Sequence, residues 1–335
     1  IKWLLILQKI MSTMAGFIRK NMAYAAVDLG TNAFRLLIVG DDRKKILFRY
    51  SSIIGLGSYI DNNNVLAPPS NYYKSLDKIF KSIETFNVQK VSIVATSIFR
   101  DCINKSQLKE DFLKRYSYNL KIITSKREAK LTSRGALEPL DFNDSKFLVV
   151  DIGGGSTEVT LIKDNIITDY VSMRIGVVRE WKRYKKIDSF TIVDKKNIFK
   201  DIQKKLLKYK FFSNLKEKKI KIVMNGGTPT TLAAIKLKLK KYSPEAVNGQ
   251  RLSLNYIECT HDELMLMKPN ERLKLYGMEK GREVVIIYGI FILISILKLI
   301  NEDSLYVSDS GVLEGLIQEI DWFFYFDDYI QTGVW

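Results

Sequence analysis

The chain has 335 residues, 46% of them hydrophobic and only 6 of them proline, which is enough for two domains with sizeable cores and argues against a long disordered tail. A formal charge of +16 favours a polyanionic partner, whether nucleic acid, anionic lipid or a phosphate-rich substrate, and a lysine-rich solvated surface explains it equally well. Two cysteines and one histidine exclude a thiol or imidazole metal cluster, the pair Cys259 and His261 being too few ligands, and point to a reduced cytosolic protein.

Residues 1–21 start without Met and carry a short apolar patch with a basic flank. They are expected to be an N-terminal extension ahead of a start at Met14 or Met22, too short for a membrane span. Period-two alternation then predicts strands at about 23–29, 34–40, 45–52, 91–96 and 120–124, and helical periodicity predicts helices at about 70–86, 106–117 and 126–138. After the turn-rich stretch "LEPLDFNDSK" the same grammar restarts. Strands are expected at about 146–152, 157–163, 166–173, 220–225 and 304–307, with helices at about 176–185, 190–211, 228–239, 260–267 and 281–298. The run Val284–Leu297 is apolar throughout but at 14 residues suits a buried core helix better than a membrane span.

Each half opens with the same sentence, "AAVDLGTNAFRLLIVG" at 25–40 and "FLVVDIGGGSTEVTLI" at 147–162. Gly30 and Gly153, Gly154 and Gly155 allow positive φ and let backbone N–H groups approach an anion without a Cβ in the way. Asp28 and Asp151, at the ends of the first strands, can hold a divalent cation beside it. Asp and Gly also serve ordinary hairpin turns, but the recurrence, with Ser156, Thr157 and Glu158 after the triple glycine, favours a phosphate cleft between two facing turns. Thr31, Asn32, Ser156 and Thr157 can donate to phosphate. A third glycine turn, Gly226 and Gly227 in "NGGTPTTLAAIKL", leads into a helix with Thr228 or Pro229 at its cap, and either binds a ligand or packs.

These segments, with "VATSIFRDCINK" at 94–105, "IITSKREAKLTSRGAL" at 122–137, "VSMRIGVVREW" at 171–181 and "VSDSGVLEGLI" at 307–317, resemble the Ppx/GppA family of exopolyphosphatases and guanosine pentaphosphate phosphohydrolases, within the acetate and sugar kinase, heat-shock chaperone and actin superfamily. The resemblance implies an α/β fold of two ribonuclease H-like, actin-like ATPase domains with a phosphate cleft between them. Domain I is expected at 22–126 together with a C-terminal helix at about 312–323, and domain II at 127–311. It implies water attack on a terminal phosphate, with Glu128 activating the water, Arg100 clamping phosphoryl oxygens and Glu158 joining Asp28 and Asp151 at Mg²⁺, Mn²⁺ being the alternative ion. Gly30, Thr31, Asn32, Gly153 to Thr157, Gly226 and Gly227 would bind phosphate. The expected partners are inorganic polyphosphate and, in the alternative, pppGpp or ppGpp, with no nucleic acid and no membrane, in a cytoplasmic homodimer. Leu313 stands where many relatives carry an arginine, so a phosphate contact inferred there is lost. A non-catalytic alarmone sensor would not need Glu128, Arg100, Asp151 and Glu158 together, and a small-molecule kinase would need an acceptor site for which the sequence has no signature.

Overall fold

The structure is a computed structural model that describes residues 22–320 except 141, 143 and 216–219. The expected N-terminal extension and the end of the expected C-terminal helix lie outside the described residues. The first sheet is built from β1 (Tyr24–Leu29), β2 (Ala33–Val39), β3 (Ile46–Ile53), β4 (Lys90–Ala95) and β5 (Lys121–Ile122), in the order β3-β2-β1-β4-β5. β1 runs antiparallel to β2 and parallel to β4, so the hairpin opens the sheet and helical crossovers complete it. The second sheet contains β6 (Lys146–Ile152), β7 (Thr157–Lys163), β8 (Ile166–Met173), β9 (Lys221–Asn225), β10 (Arg251–Ser253) and β11 (Ser304–Val307), in the order β10-β11-β9-β6-β7-β8. Strand for strand, β6, β7, β8, β9 and β11 repeat the first sheet, the duplicated ribonuclease H-like arrangement that the resemblance implies. β10 is an added antiparallel edge of three residues, too short for alternation to mark it.

β1 and most of β6 are buried along their length because helices cover both faces, which explains their unbroken apolar runs. In the first half, the helix Ser70–Thr85 turns Tyr72, Leu76, Ile79, Phe80 and Ile83 onto the sheet at helical spacing. In the second half, the helix Ile286–Ile300 is buried on nearly every side, so its apolar run is core; among the described residues no helix is long and apolar enough to cross a membrane.

Several expected boundaries move for physical reasons. The single helix expected at 190–211 is Ile192–Leu206 followed by Lys210–Asn214. The first helix ends at its cap, Leu207, whose N–H donates to the Gln203 carbonyl, and Tyr209 takes extended backbone (φ −94°, ψ 115°) before the second begins. The helix expected at 260–267 starts earlier, at Leu254, where Ser253 accepts from the Tyr256 N–H at 3.2 Å. The helix expected from 281 begins only at Ile286, because Gly281 has φ 93° in the preceding loop. His261 is 1% exposed and packs edge-on against Phe291, whereas Cys259 is exposed, so the two do not form a ligand pair.

The helices Ser125–Leu137 and Val312–Gln318 cross at the junction of the two halves. Leu131 joins Val312, Leu313 and Leu316 against the first sheet, while Ala136 packs with Phe147 and Val149 of the second. Their contact is glycine on glycine: a Cβ on Gly135 would lie 1.9 Å from the Gly311 carbonyl oxygen.

Candidate active site

The two glycine turns have one construction. The Gly30 N–H donates to the Ala33 carbonyl at 3.0 Å, and the Gly153 N–H donates to that of Ser156 at 2.9 Å. This closure fixes the hairpin register, placing Asp28 opposite Arg35 and Asp151 opposite Glu158, each seven positions further on. The equivalent position thus carries a cation in one half and an acid in the other. None of Gly30, Gly153, Gly154 and Gly155 uses the positive φ that glycine allows. Glycine is required at 154 and 155 by close approach instead. A Cβ on Gly154 would lie 3.0 Å from the Asn32 Cβ, and one on Gly155 would lie 2.6 Å from the Ser97 hydroxyl oxygen. The turns therefore face each other in contact, one from each half.

Beside them the structure gathers four of the expected residues. Glu128 stands in the first turn of the helix Ser125–Leu137, whose start is fixed by Thr124 accepting from the Arg127 N–H at 3.2 Å. Carboxylate oxygens of Glu128, Asp151 and Glu158 all lie within 4.8 Å of one another. Arg100, on the short helix Ser97–Asp101, reaches Glu128 Oε2 at 2.6 Å and stands 3.9 Å from Glu158 Oε1, while also donating to the Ile123 carbonyl at 3.1 Å. Arg100 faces Glu128 and Glu158, and Arg35 acts on the partly buried Asp151 and on Asp28, so two guanidinium groups stand against four acids and negative charge is left uncompensated. Burial first, then the neighbouring Glu158, raises the carboxyl pKa of Glu128 well above its usual range against the opposing pull of Arg100. Burial first, then Asp151, pushes Glu158 up to about 7. Asp151 is raised by burial as well.

Asp28 stays outside this trio. It lies 3.9 Å from Arg35, its Oδ1 is buried without a hydrogen-bond partner, and burial pushes its pKa up to about 6. A hard divalent ion fits this donor set: the ligand atoms are all oxygens, they converge, and their excess negative charge calls for a cation. Mg²⁺ and Mn²⁺ both meet that description, with Asp151, Glu158 and Glu128 or the orphaned oxygen of Asp28 to hold them.

The third turn lies alongside. Gly226 has φ 94°, and a Cβ there would come within 3.1 Å of Asp151 Oδ1. The helix begins at Gly227 with Gly226 as its cap, two residues before Thr228 and three before Pro229. Gly227 is tight against Arg282, whose guanidinium occupies the place of its missing Cβ. From here a cleft of about 500 Å³ opens between the halves, lined by Gly226, Gly227, Arg35, Arg49, Arg282 and Tyr242 together with Glu279, Asp309 and Glu314. Thr31 is buried with its hydroxyl unpartnered, and Thr157 donates instead to the Ile175 carbonyl at 2.7 Å.

Sequence reading missed Arg35, Arg282, Arg179 and Ser172. Counting the hairpin register from Asp28 would have found Arg35. Arg179, whose Nε donates to the Gly155 carbonyl at 2.9 Å while Nη2 reaches Asp101 at 2.7 Å, and Arg282, on a loop, carry no signal that periodicity can detect.

A family model described as the Ppx/GppA phosphatase family matches residues 38–321. The chain is 28% identical over 313 residues to exopolyphosphatase 2 of Mycobacterium tuberculosis, covering 87% of this chain and 96% of that protein. It is 29% identical over 317 residues to a bifunctional 3-dehydroquinate synthase/phosphatase of Fusobacterium nucleatum, 90% of this chain but 47% of that protein, so it spans about half of that relative. Among solved structures, the Aquifex aeolicus PPX-GPPA enzyme superposes with a TM-score of 0.73 at 30% identity, over 89% of this chain and 99% of that one.

Proposed function

The chain belongs to the Ppx/GppA phosphatase family, and from that premise we propose that it is a cytosolic hydrolase that releases terminal orthophosphate from inorganic polyphosphate by water attack. The observation that carries this reading is the convergence of Glu128, Asp151, Glu158 and Arg100 beside two facing glycine turns. Its likeness over nearly the whole length of the mycobacterial exopolyphosphatase favours polyphosphate as substrate.

In this reading the terminal phosphoryl group lies between the turns contributed by 22–126 and 127–311. Backbone N–H groups of the turns and the hydroxyl of Thr31 hold its oxygens. Glu128 accepts a proton from a water as the water oxygen bonds to phosphorus, and the bridging P–O bond breaks toward the remainder of the chain, which leaves one phosphate shorter. Arg100 both orients Glu128 and, with its second nitrogen, faces the charge that develops on the phosphoryl oxygens. Asp151 and Glu158 would hold a divalent cation, which would supply further neutralisation of that charge.

The test is phosphate release from long-chain polyphosphate and from pppGpp, with and without Mg²⁺. Glu128→Gln is expected to lower kcat by about a hundred- to ten-thousand-fold, the usual contribution of a general base. A variant that keeps the wild-type rate would overturn the assignment. A second reading, hydrolysis of pppGpp, is favoured by one observation: Asp309, Glu314 and Glu279 line the cleft next to Arg35 and Arg282. Carboxylates accept hydrogen bonds, and a guanine edge or ribose hydroxyl donates them where polyphosphate has no donor to offer. A higher kcat/KM for pppGpp than for polyphosphate would decide for it.

A further inference from the structure

Glu158 is held by the strand beside it. In the register of the second sheet Asp151 is opposite Glu158 and Glu158 is opposite Ser172, so one row of side chains crosses β6, β7 and β8. Directly opposed residues of antiparallel strands project on the same face. The row brings the Ser172 hydroxyl to Glu158 Oε1, to which it donates at 2.7 Å, whereas Arg100 is 3.9 Å from the same oxygen. Glu158 is 2% exposed, so water does not readily replace that hydroxyl. The first sheet repeats the row with Asp28, Arg35 and Ser51, but there a cation occupies the middle position.

Three carboxylates within 4.8 Å repel one another, and a glutamate has three rotatable bonds by which to turn away. A hydroxyl that binds one of its oxygens keeps the side chain in the cluster, beside a second hydrogen bond that Glu158 makes with Ser156, and leaves it lone pairs for a ligand. We propose that Ser172 is a positioning residue that fixes Glu158 for divalent-cation binding, an inference that rests on the reading of the acidic trio as the cation site. Ser172 acts only through Glu158 and takes no part in the chemistry.

The experiment measures Mn²⁺ binding to the full chain by electron paramagnetic resonance, without substrate, for wild type, Ser172→Ala, Ser172→Thr and Glu158→Gln. Outer-shell partners of metal ligands are worth about ten- to a hundred-fold in affinity. Ser172→Ala is therefore expected to weaken Mn²⁺ at least about tenfold. Ser172→Thr, which keeps the hydroxyl, should stay near wild type, and both should melt at the wild-type temperature. In turnover, Ser172→Ala should need more Mg²⁺ for half-maximal rate while approaching wild-type kcat at saturation. If Glu158→Gln weakens Mn²⁺ and Ser172→Ala does not, the role of Ser172 is overturned while the cation site stands. If neither variant changes Mn²⁺ affinity, the site and the proposal fall together. A Ser172→Ala chain that melts early and is not rescued by threonine would make the serine structural and overturn the proposal too.

Discussion

At Glu158 folding and chemistry pull in opposite directions. An ordinary glutamate ionises near 4.5, and burial with Asp151 beside it raises that value to about 7. The folded chain therefore holds a proton that the unfolded chain has released between those two values, so the group's contribution to stability falls as pH rises through that window and is at its least favourable above it. Glu158→Gln removes the ionisable group while keeping the shape. Without divalent cation it should raise the melting temperature at pH 8 and leave it nearly unchanged at pH 4.5, as thermal unfolding at the two values would measure; an equal shift at both would show that the charge is not what costs stability. Asp28, Asp151 and the glycines around them were legible as a repeated acidic turn. Glu128 was legible only through resemblance, since one glutamate in a helical segment looks like surface charge until the fold buries it. Ser172 and Arg35 were hidden because their meaning lies in strand register, a relation between segments that local periodicity does not carry.

Among the elements, the helix Ser125–Leu137 has the tightest constraints. Its first turn presents Glu128 and its last turn meets the helix Val312–Gln318 where side chains do not fit. A Cβ on Gly315 would lie 2.2 Å from the Leu131 carbonyl oxygen, and the oxygen 1.9 Å from a Cβ on Gly135 is equally a backbone atom, so neither conflict yields to a side-chain rotation. Gly135→Ala should destabilise the protein by about 1–3 kcal/mol, the usual range for overpacking. It should also lower kcat in the fraction that remains folded, because the helix must shift with Glu128 on it. A denaturant midpoint equal to wild type would contradict the packing argument. Strongly periodic segments such as β6, β7 and Ser70–Thr85 were legible within a residue or two. The short pieces, among them Ser97–Asp101 carrying Arg100, were not, because one turn of helix has too few residues to display a period.

The whole molecule is two copies of one sheet plan brought face to face, and its halves are tied by charge as well as by their turns. Asp101 of the first half accepts from Arg179 at 2.7 Å and from Arg174 at 3.3 Å, both of the second half, and Lys182 donates to the Ile60 carbonyl at 3.2 Å. Asp101→Lys puts like charges together across this seam. Small-angle scattering should show a larger radius of gyration for that variant, with lower kcat, and Arg174→Asp in the same chain should recover part of both. An unchanged radius would mean that the Asp101 ion pairs are not needed to hold the halves together. The duplicated architecture was legible in the sequence from the two matching sentences, whereas the seam was not, because its partners are drawn from segments more than seventy positions apart.

The identical closure of the two turns also sets which changes of length the protein can survive. Inserting or deleting one residue between Asp151 and Glu158 slides β7 against β6 by one place and sends every side chain of the strand to the opposite face. The apolar residues at 159 and 161 would then face where Glu158 now stands, and no single replacement elsewhere restores both the core and the site. Loops away from the turns, such as residues 40–45 between β2 and β3, carry no member of the acidic cluster and no contact to Glu158. Variation in length should therefore collect at those distal loops and be rare within 28–35 and 151–158, even in proteins whose residues at these positions have changed.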